Sequence, residues 1–91
     1  MELTRTLRIT NDLGLHARAA AKIVELGKNY EASLFFRKGE EQEVDGSSIL
    51  SIITLSCPKG TEVRARINGK DAETFMETLT QLFENRFGEE K

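Results

Sequence analysis

The chain has one cysteine, Cys57, and one histidine, His16, among its 91 residues. A lone cysteine excludes an internal disulfide and any multi-cysteine metal cage. A lone histidine leaves carboxylates alone to complete a metal site, and it gives a hydrolase triad no convincing partner set. No metal and no cofactor is therefore expected. An excess of charge of one sign is missing too: 13 basic against 15 acidic side chains leave a net charge of −2, so nothing favours nucleic acid or an anionic membrane surface as a partner. No apolar run approaches the ~20 residues needed to span a bilayer. The opening MELTRTLRIT carries a charge every few residues and no apolar centre, unlike a secretory signal. These absences lead to the expectation of one cytoplasmic, monomeric domain over residues 1–91. A chain of this length buries roughly 60–65 % of the surface that its unfolded form exposes. Within LSCPKG no histidine or cation is fixed beside Cys57 by local spacing, and the thiol reads as structural rather than reactive.

What is present is alternation. Leu3, Leu7 and Ile9 alternate with Thr4, Thr6, Arg8 and Thr10, the period of a strand with one wet face, and NDLG breaks it. From Ala17 to about Leu26 strong helix formers follow, with Ala20, Ile23, Val24 and Gly27 at helical spacing and Gly27 and Asn29 as a stop. ASLFFR, the turn KGEE and QEVD predict a hairpin over residues 32–45. In DGSSILSIITLS, periodicity alone fits a short helix and a buried strand equally well. The pair Ser47 and Ser48 tips the reading to a helix, because hydroxyls there cap free N–H groups. After PKG, TEVRARIN sets Val63, Ala65 and Ile67 against charge as a fourth strand. Ala72, Phe75, Met76, Leu79, Leu82 and Phe83 then form a helical stripe that reads as core rather than as a ligand box. The order strand, helix, strand, strand, helix, strand, helix predicts an α+β fold, an open-faced two-layer sandwich whose four-stranded antiparallel sheet is covered on one face by three helices. A short charged tail, GEEK, follows from about residue 88.

GLHARAA, residues 14–20, places His16 at the junction between strand and helix. If the helix starts at Ala17, the free N–H groups of its first turn and the positive end of its dipole face whatever lies beside the imidazole. Such an end holds anions, and Arg18 adds a fork of donors suited to phosphate oxygens. The same field disfavours imidazolium, leaving the neutral ring, which is the nucleophile that phosphoryl transfer needs. In-line positioning and charge stabilisation matter more to that transfer than elaborate covalent chemistry. A lone loop histidine is equally a solvated polar residue or a helix cap, and local physics leaves both readings open.

The residues ITNDLGLHARAAAKIVEL, followed about thirty residues later by GSSILSIITL and PKG, resemble the HPr family of histidine-containing phosphocarriers of the bacterial phosphotransferase system. The resemblance covers nearly the whole chain, and its most specific part is Gly-Leu-His-Ala-Arg at a strand-to-helix junction. It implies that His16 accepts a phosphoryl group at Nδ1 from enzyme I, charged by phosphoenolpyruvate, and passes it to IIA-type acceptors. It also implies that Arg18 steadies the group, and that the protein is a carrier rather than an enzyme. Ser48, more than Ser47, matches the serine that a dedicated kinase phosphorylates in many members. A phosphate there adds nearly two negative charges to the docking face. Both serines also read simply as caps. Ile49, Leu50 and Ile53 match the family's apolar docking patch, which leads to the expectation that part of that set stays exposed.

Two positions depart from the pattern. Ala19 stands where members commonly have proline, and the alanine loosens the entrance slightly but adds a usable N–H to the first turn; Ser47 replaces a frequent lysine. ITNDLGLHARAAAKIVEL and LFENRFGEE are as similar to the nitrogen-branch carriers as to the sugar-branch ones. The second functional reading is a docking-only regulator of the same fold, for which His16 is incidental. Having both a nucleophile and a phosphate clamp favours relay over docking alone, and a generic α+β scaffold explains neither residue.

Overall fold

The computed structural model describes residues 1–91. Its elements are β1 (Glu2–Arg8), α1 (Ala17–Gly27), β2 (Ser33–Arg37), β3 (Val44–Asp45), α2 (Ile49–Ile53), β4 (Glu62–Asn68) and α3 (Ala72–Glu84), with a last tight turn at Arg86–Gly88. The strands form one antiparallel sheet in the order β1-β4-β2-β3. The register runs from Glu2 opposite Asn68 to Arg8 opposite Glu62 between β1 and β4, and Ser33 through Arg37 lie opposite Asn68 through Arg64 between β2 and β4. β4 thus pairs on both sides, and its alternation is the sharpest: Val63, Ala65 and Ile67 are buried while Glu62, Arg64 and Asn68 face solvent.

The helices cover one face only. Twenty-one residues form the core between the layers, including Leu34 and Phe36 from the sheet, Ile23 from α1, Ile52 from α2 and Phe75, Met76, Leu79 and Phe83 from α3. Burying side chains of this size contributes about 1.5–3 kcal/mol each and sets the layered arrangement. Phe75 stacks on Tyr30 with centroids 4.6 Å apart, and Phe83 meets Phe87 edge-on at 4.9 Å. On the open face Arg66 lies 4.5 Å above the Phe35 ring and bonds Glu2 at 2.8 Å and Glu43 at 2.9 and 2.7 Å, joining three strands across exposed surface. No helix is long and apolar enough to cross a membrane.

Most sequence expectations hold, and three details differ. Helix α1 ends at Gly27, but without a left-handed glycine: the cap is Lys28 in right-handed geometry (φ −65°). A Cβ on Gly27 would lie 3.4 Å from the Phe75 ring, in ordinary contact with α3. The deepest residues of α1 are Ala19, Ala20 and Ile23, while Val24 is only half-buried. The core-facing stripe of α1 thus reaches one residue further back than the expected set, to Ala19, while Ala20 and Ile23 lie in it as expected. Finally, GEEK does not trail away as a loose tail. Arg86, Phe87 and Gly88 all take positive φ (54°, 56° and 80°), the chain reverses, and Phe87 is buried.

Gly14 shows how tightly the loop after β1 is held. It has φ +70°, and a Cβ there would lie 2.5 Å from the Cys57 carbonyl oxygen and 2.9 Å from Pro58 Cα, both backbone atoms. Gly39 has φ +54° with nothing within 4 Å. Gly39→Ala should cost only the left-handed penalty of about 1–2 kcal/mol, whereas Gly14→Ala should cost roughly 3 kcal/mol or more because overpacking adds to it. Urea unfolding of the two variants checks this, and equal losses would contradict the close approach.

Candidate functional site

The loop between β1 and α1 is built from short backbone bonds. Gly14 N–H donates to the Asn11 carbonyl at 3.1 Å, Leu15 N–H to the Cys57 carbonyl at 2.8 Å and His16 N–H to the Gly14 carbonyl at 3.0 Å. Leu15 is buried beneath it. The loop therefore delivers His16 in extended geometry (φ −85°, ψ 179°) as the N-cap of α1, where Nδ1 accepts the Arg18 N–H at 3.2 Å. The N–H groups of Ala17 and Ala19 bond nothing in the chain, and no acidic residue occupies the first turn. Free donors and the positive end of an 11-residue helix thus converge beside Nδ1.

The other ring nitrogen meets the C-terminus. Glu89 Oε2 lies 2.5 Å from His16 Nε2, and Glu89 Oε1 accepts the Asn11 side-chain amide at 2.9 Å. The side chains of His16 and Glu89 are only 23 % and 13 % exposed, so solvent competes weakly for this contact. A carboxylate only accepts hydrogen bonds, so Nε2 carries the ring proton, and Nδ1, which accepts from Arg18 N–H, carries the lone pair. The Glu89 carboxyl is held below the ordinary glutamate value of 4.5, first by the Asn11 amide; burial opposes this, while the His16 hydrogen bond and the charges of His16 and Arg18 lower it further. Asn11 is the one buried polar residue. Its amide also donates to the Gly14 carbonyl at 2.8 Å, and its Oδ1 has no partner.

Sequence reasoning singled out His16 and Arg18 and did not reach Asn11 and Glu89, which the structure brings beside His16. The contacts of Glu89 with Asn11 and His16 span 78 and 73 positions, and the one available signal was Phe87, an aromatic four residues after Phe83 in an otherwise charged end. Arg18 brings its backbone N–H to the site while its side chain is exposed and enters none of the chain's ion pairs. Ser48 is the N-cap of α2, its Oγ accepting the Ser51 N–H at 3.2 Å. Ser47 does not cap: its hydroxyl and N–H both donate to Asp45 Oδ1, at 2.7 and 2.8 Å, and they hold the Asp45 carboxyl below its usual range. α2 packs on α1, with Leu50 77 %, Ile49 37 % and Ile53 36 % exposed while Ile52 is buried. Leu13, also 65 % exposed, lies beside Arg18 in a shallow cleft. A cleft of about 480 Å³ lies at the opposite end of α1 beside Gly27, Lys28 and Tyr30 and does not include His16. Cys57 is buried, and burial pushes its thiol up, against the pull of Lys38, as a structural thiol requires.

Residues 3–85 match the family model described as PTS HPr component phosphorylation site. The chain is 43 % identical over 89 residues to phosphocarrier protein HPr of Xylella fastidiosa strain Temecula1, covering 97 % of this chain and 98 % of that one. To phosphocarrier protein NPr of Escherichia coli K12 it is 31 % identical over 90 residues, covering 99 % and 100 %. A crystal structure of HPr from Thermoanaerobacter tengcongensis superposes with a TM-score of 0.90 at 31 % identity, covering 98 % and 99 %.

A lowered Glu89 carboxyl fixes the sign of a pH effect. Its contact contributes fully above the ordinary value of 4.5 and is lost as the pH falls through the lower folded value. In NMR titrations the Asn11 side-chain amide signals should therefore hold steady near neutrality and move in acid, below that ordinary value. In Glu89→Gln the acid step should disappear. Signals unchanged down to about pH 2, well under any free carboxylate, would mean that the contact does not form.

Proposed function

The chain belongs to the HPr family of phosphocarriers of the phosphotransferase system, and from this membership we propose that His16 is its phosphoryl acceptor. As a member it carries phosphoryl groups and is not a catalyst. The observation that supports His16 most directly is Nδ1 at the entrance of α1, where its lone pair accepts the Arg18 N–H while the neighbouring N–H groups of Ala17 and Ala19 remain free. The donor is phospho-enzyme I, charged from phosphoenolpyruvate, and the recipients are IIA-type proteins, all met in the cytoplasm. The Arg18 N–H lets go of Nδ1, whose lone pair forms the N–P bond as the donor's bond to phosphorus breaks. The phosphoryl oxygens then meet the N–H groups of Ala17, Arg18 and Ala19, and the unpaired Arg18 guanidinium swings onto them as a charge-assisted clamp.

Ile49, Leu50 and Ile53 form the partner-docking surface, since apolar side chains left exposed on a small protein mark an interface. Ser48, at the edge of that surface, is the site of kinase phosphorylation: its oxygen accepts the Ser51 N–H while its own hydroxyl proton remains uncommitted. A phosphate there sets nearly two negative charges beside the patch and repels partners that dock on it.

Incubation with enzyme I and phosphoenolpyruvate should give one acid-labile, base-stable phosphoryl group that is absent in His16→Ala. An unlabelled wild-type chain that still binds enzyme I, beside a labelled reference carrier, would replace relay by docking-only regulation. Arg18→Ala should keep the fold and slow transfer roughly 10–100-fold, the worth of one charge-assisted hydrogen bond; an unfolded variant would make the arginine structural. Ser48→Asp should weaken enzyme I binding in calorimetric titration, and unchanged affinity would remove Ser48 as a switch.

A further inference from the structure

The C-terminal end of the chain adopts an unfavourable backbone to reach His16. Arg86 and Phe87 are non-glycine residues at φ 54° and 56°, followed by Gly88 at φ 80°. Left-handed geometry costs ordinary residues free energy, and several such residues in a row persist only when other contacts hold them. Two contacts hold them: Phe87 is fully buried against Phe83, and Lys22 Nζ donates to the Phe87 carbonyl at 2.5 Å. Asn11 makes a second sacrifice. Both of its amide hydrogens are committed, to the Gly14 carbonyl and to Glu89, while its buried Oδ1 goes without a partner, which is an uncommon and costly state. The product of both costs is one contact, Glu89 Oε2 on His16 Nε2.

We propose that Glu89, held by Asn11 and by the left-handed turn, is a positioning residue for phosphoryl transfer that keeps the ring proton on Nε2 both before and after Nδ1 is phosphorylated. This rests on the reading of His16 as acceptor. On acceptance, the Nδ1 lone pair becomes the N–P bond, the donor leaves with the electrons of its own bond to phosphorus, and the ring becomes a phosphorylated imidazolium whose proton stays against Glu89. On release, the N–P electron pair returns to Nδ1, the phosphoryl group passes to the acceptor or to water, and neutral imidazole with Nε2–H is left. If Nε2 had lost its proton, release would have to expel imidazolate, a far poorer leaving group. Glu89 thereby keeps the phosphorylated protein a ready donor at neutral and mildly alkaline pH. The other charged groups around the contact are Arg18 and Lys22 on α1, Asp12 in the loop after β1, paired with Lys59 at 2.8 Å, and Lys91 past the turn; Glu89 is the one bonded to Nε2.

The test is the pH profile of phosphohistidine hydrolysis, followed by phosphorus NMR in the wild type, Glu89→Gln, Glu89→Ala and the exposed neighbour Glu90→Gln. Each protein is phosphorylated by enzyme I and, separately, by phosphoramidate. The alkaline limb, where hydrolysis slows, should move down by about one pH unit in both Glu89 variants, as loss of a charged acceptor predicts. Hydrolysis on that limb is then about tenfold slower, while Glu90→Gln superimposes on the wild type. In the wild type itself, proton–nitrogen correlation of the labelled ring should show the Nε2 proton before and after phosphorylation. Identical limbs in the wild type and Glu89→Gln, or no Nε2 proton in the wild type, would overturn the role of Glu89 with the relay untouched. No labelling of His16 by enzyme I, with the limb shift still present after phosphoramidate treatment, would instead overturn the relay.

Discussion

One covered sheet face is the constraint from which the site follows. With helices on a single side, every helix must run back along the strand that precedes it, so the chain alternates direction and its connections gather at two ends of the sandwich. Arg8, the last residue of β1, pairs with Glu62, the first of β4. The loop carrying His16 and the turn around Cys57 and Pro58 therefore meet at one end, where Gly14 permits their close approach. α3 returns along β4, and the lengths match: 13 helical residues span about 20 Å and seven strand residues about 23 Å. The C-terminus thus arrives at the same end, close enough for one reversing turn to carry Glu89 onto His16.

At that end the two nitrogens of one imidazole meet opposite fields. The sequence offered only the helix entrance, which favours a lone pair facing its N–H groups. The structure adds a carboxylate on the far side, which favours a proton facing it. These influences do not cancel, because they act on different atoms. Helix-end interactions are worth about 0.3–1 kcal/mol when exposed, and a hydrogen bond to a charged group about 1.5–3 kcal/mol. Together they select one tautomer and one orientation of the ring, with Nδ1 presented and Nε2 anchored. A loop histidine without the second contact would keep the helix end alone.

What the sequence made legible was local. Val63, Ala65 and Ile67 against charged neighbours, Phe75 to Phe83 at helical spacing, and serines ahead of an apolar run each record an environment within a few residues, so strands, helices and the presence of a serine cap could be read directly. Asn11 and Glu89 could not, because their contacts join residues 78 and 73 positions from their partners and leave no periodic trace. The split between Ser47 and Ser48 was hidden for a related reason: Asp45, two residues earlier, takes the Ser47 hydroxyl and N–H in a turn before the helix begins. Gly27 illustrates the converse. It sits where a helix stop belongs, yet the chain takes no left-handed conformation there.

Ala19 joins these levels. Its methyl is fully buried, so the first turn of α1 lies directly on the core and cannot shift without disturbing it, which fixes the position of its backbone donors relative to His16. The family resemblance places proline at this position, and proline has no N–H to offer. Here the Ala19 N–H is present and bonds nothing in the chain. Arg18 N–H is committed to Nδ1 in the resting protein and is released only as that nitrogen takes a new partner, so Ala17 and Ala19 are the donors free beforehand. A proline would halve that pair. The alanine therefore exchanges some preorganisation of the helix entrance, which proline's fixed φ would supply, for an additional hydrogen bond to whatever negative charge the entrance receives.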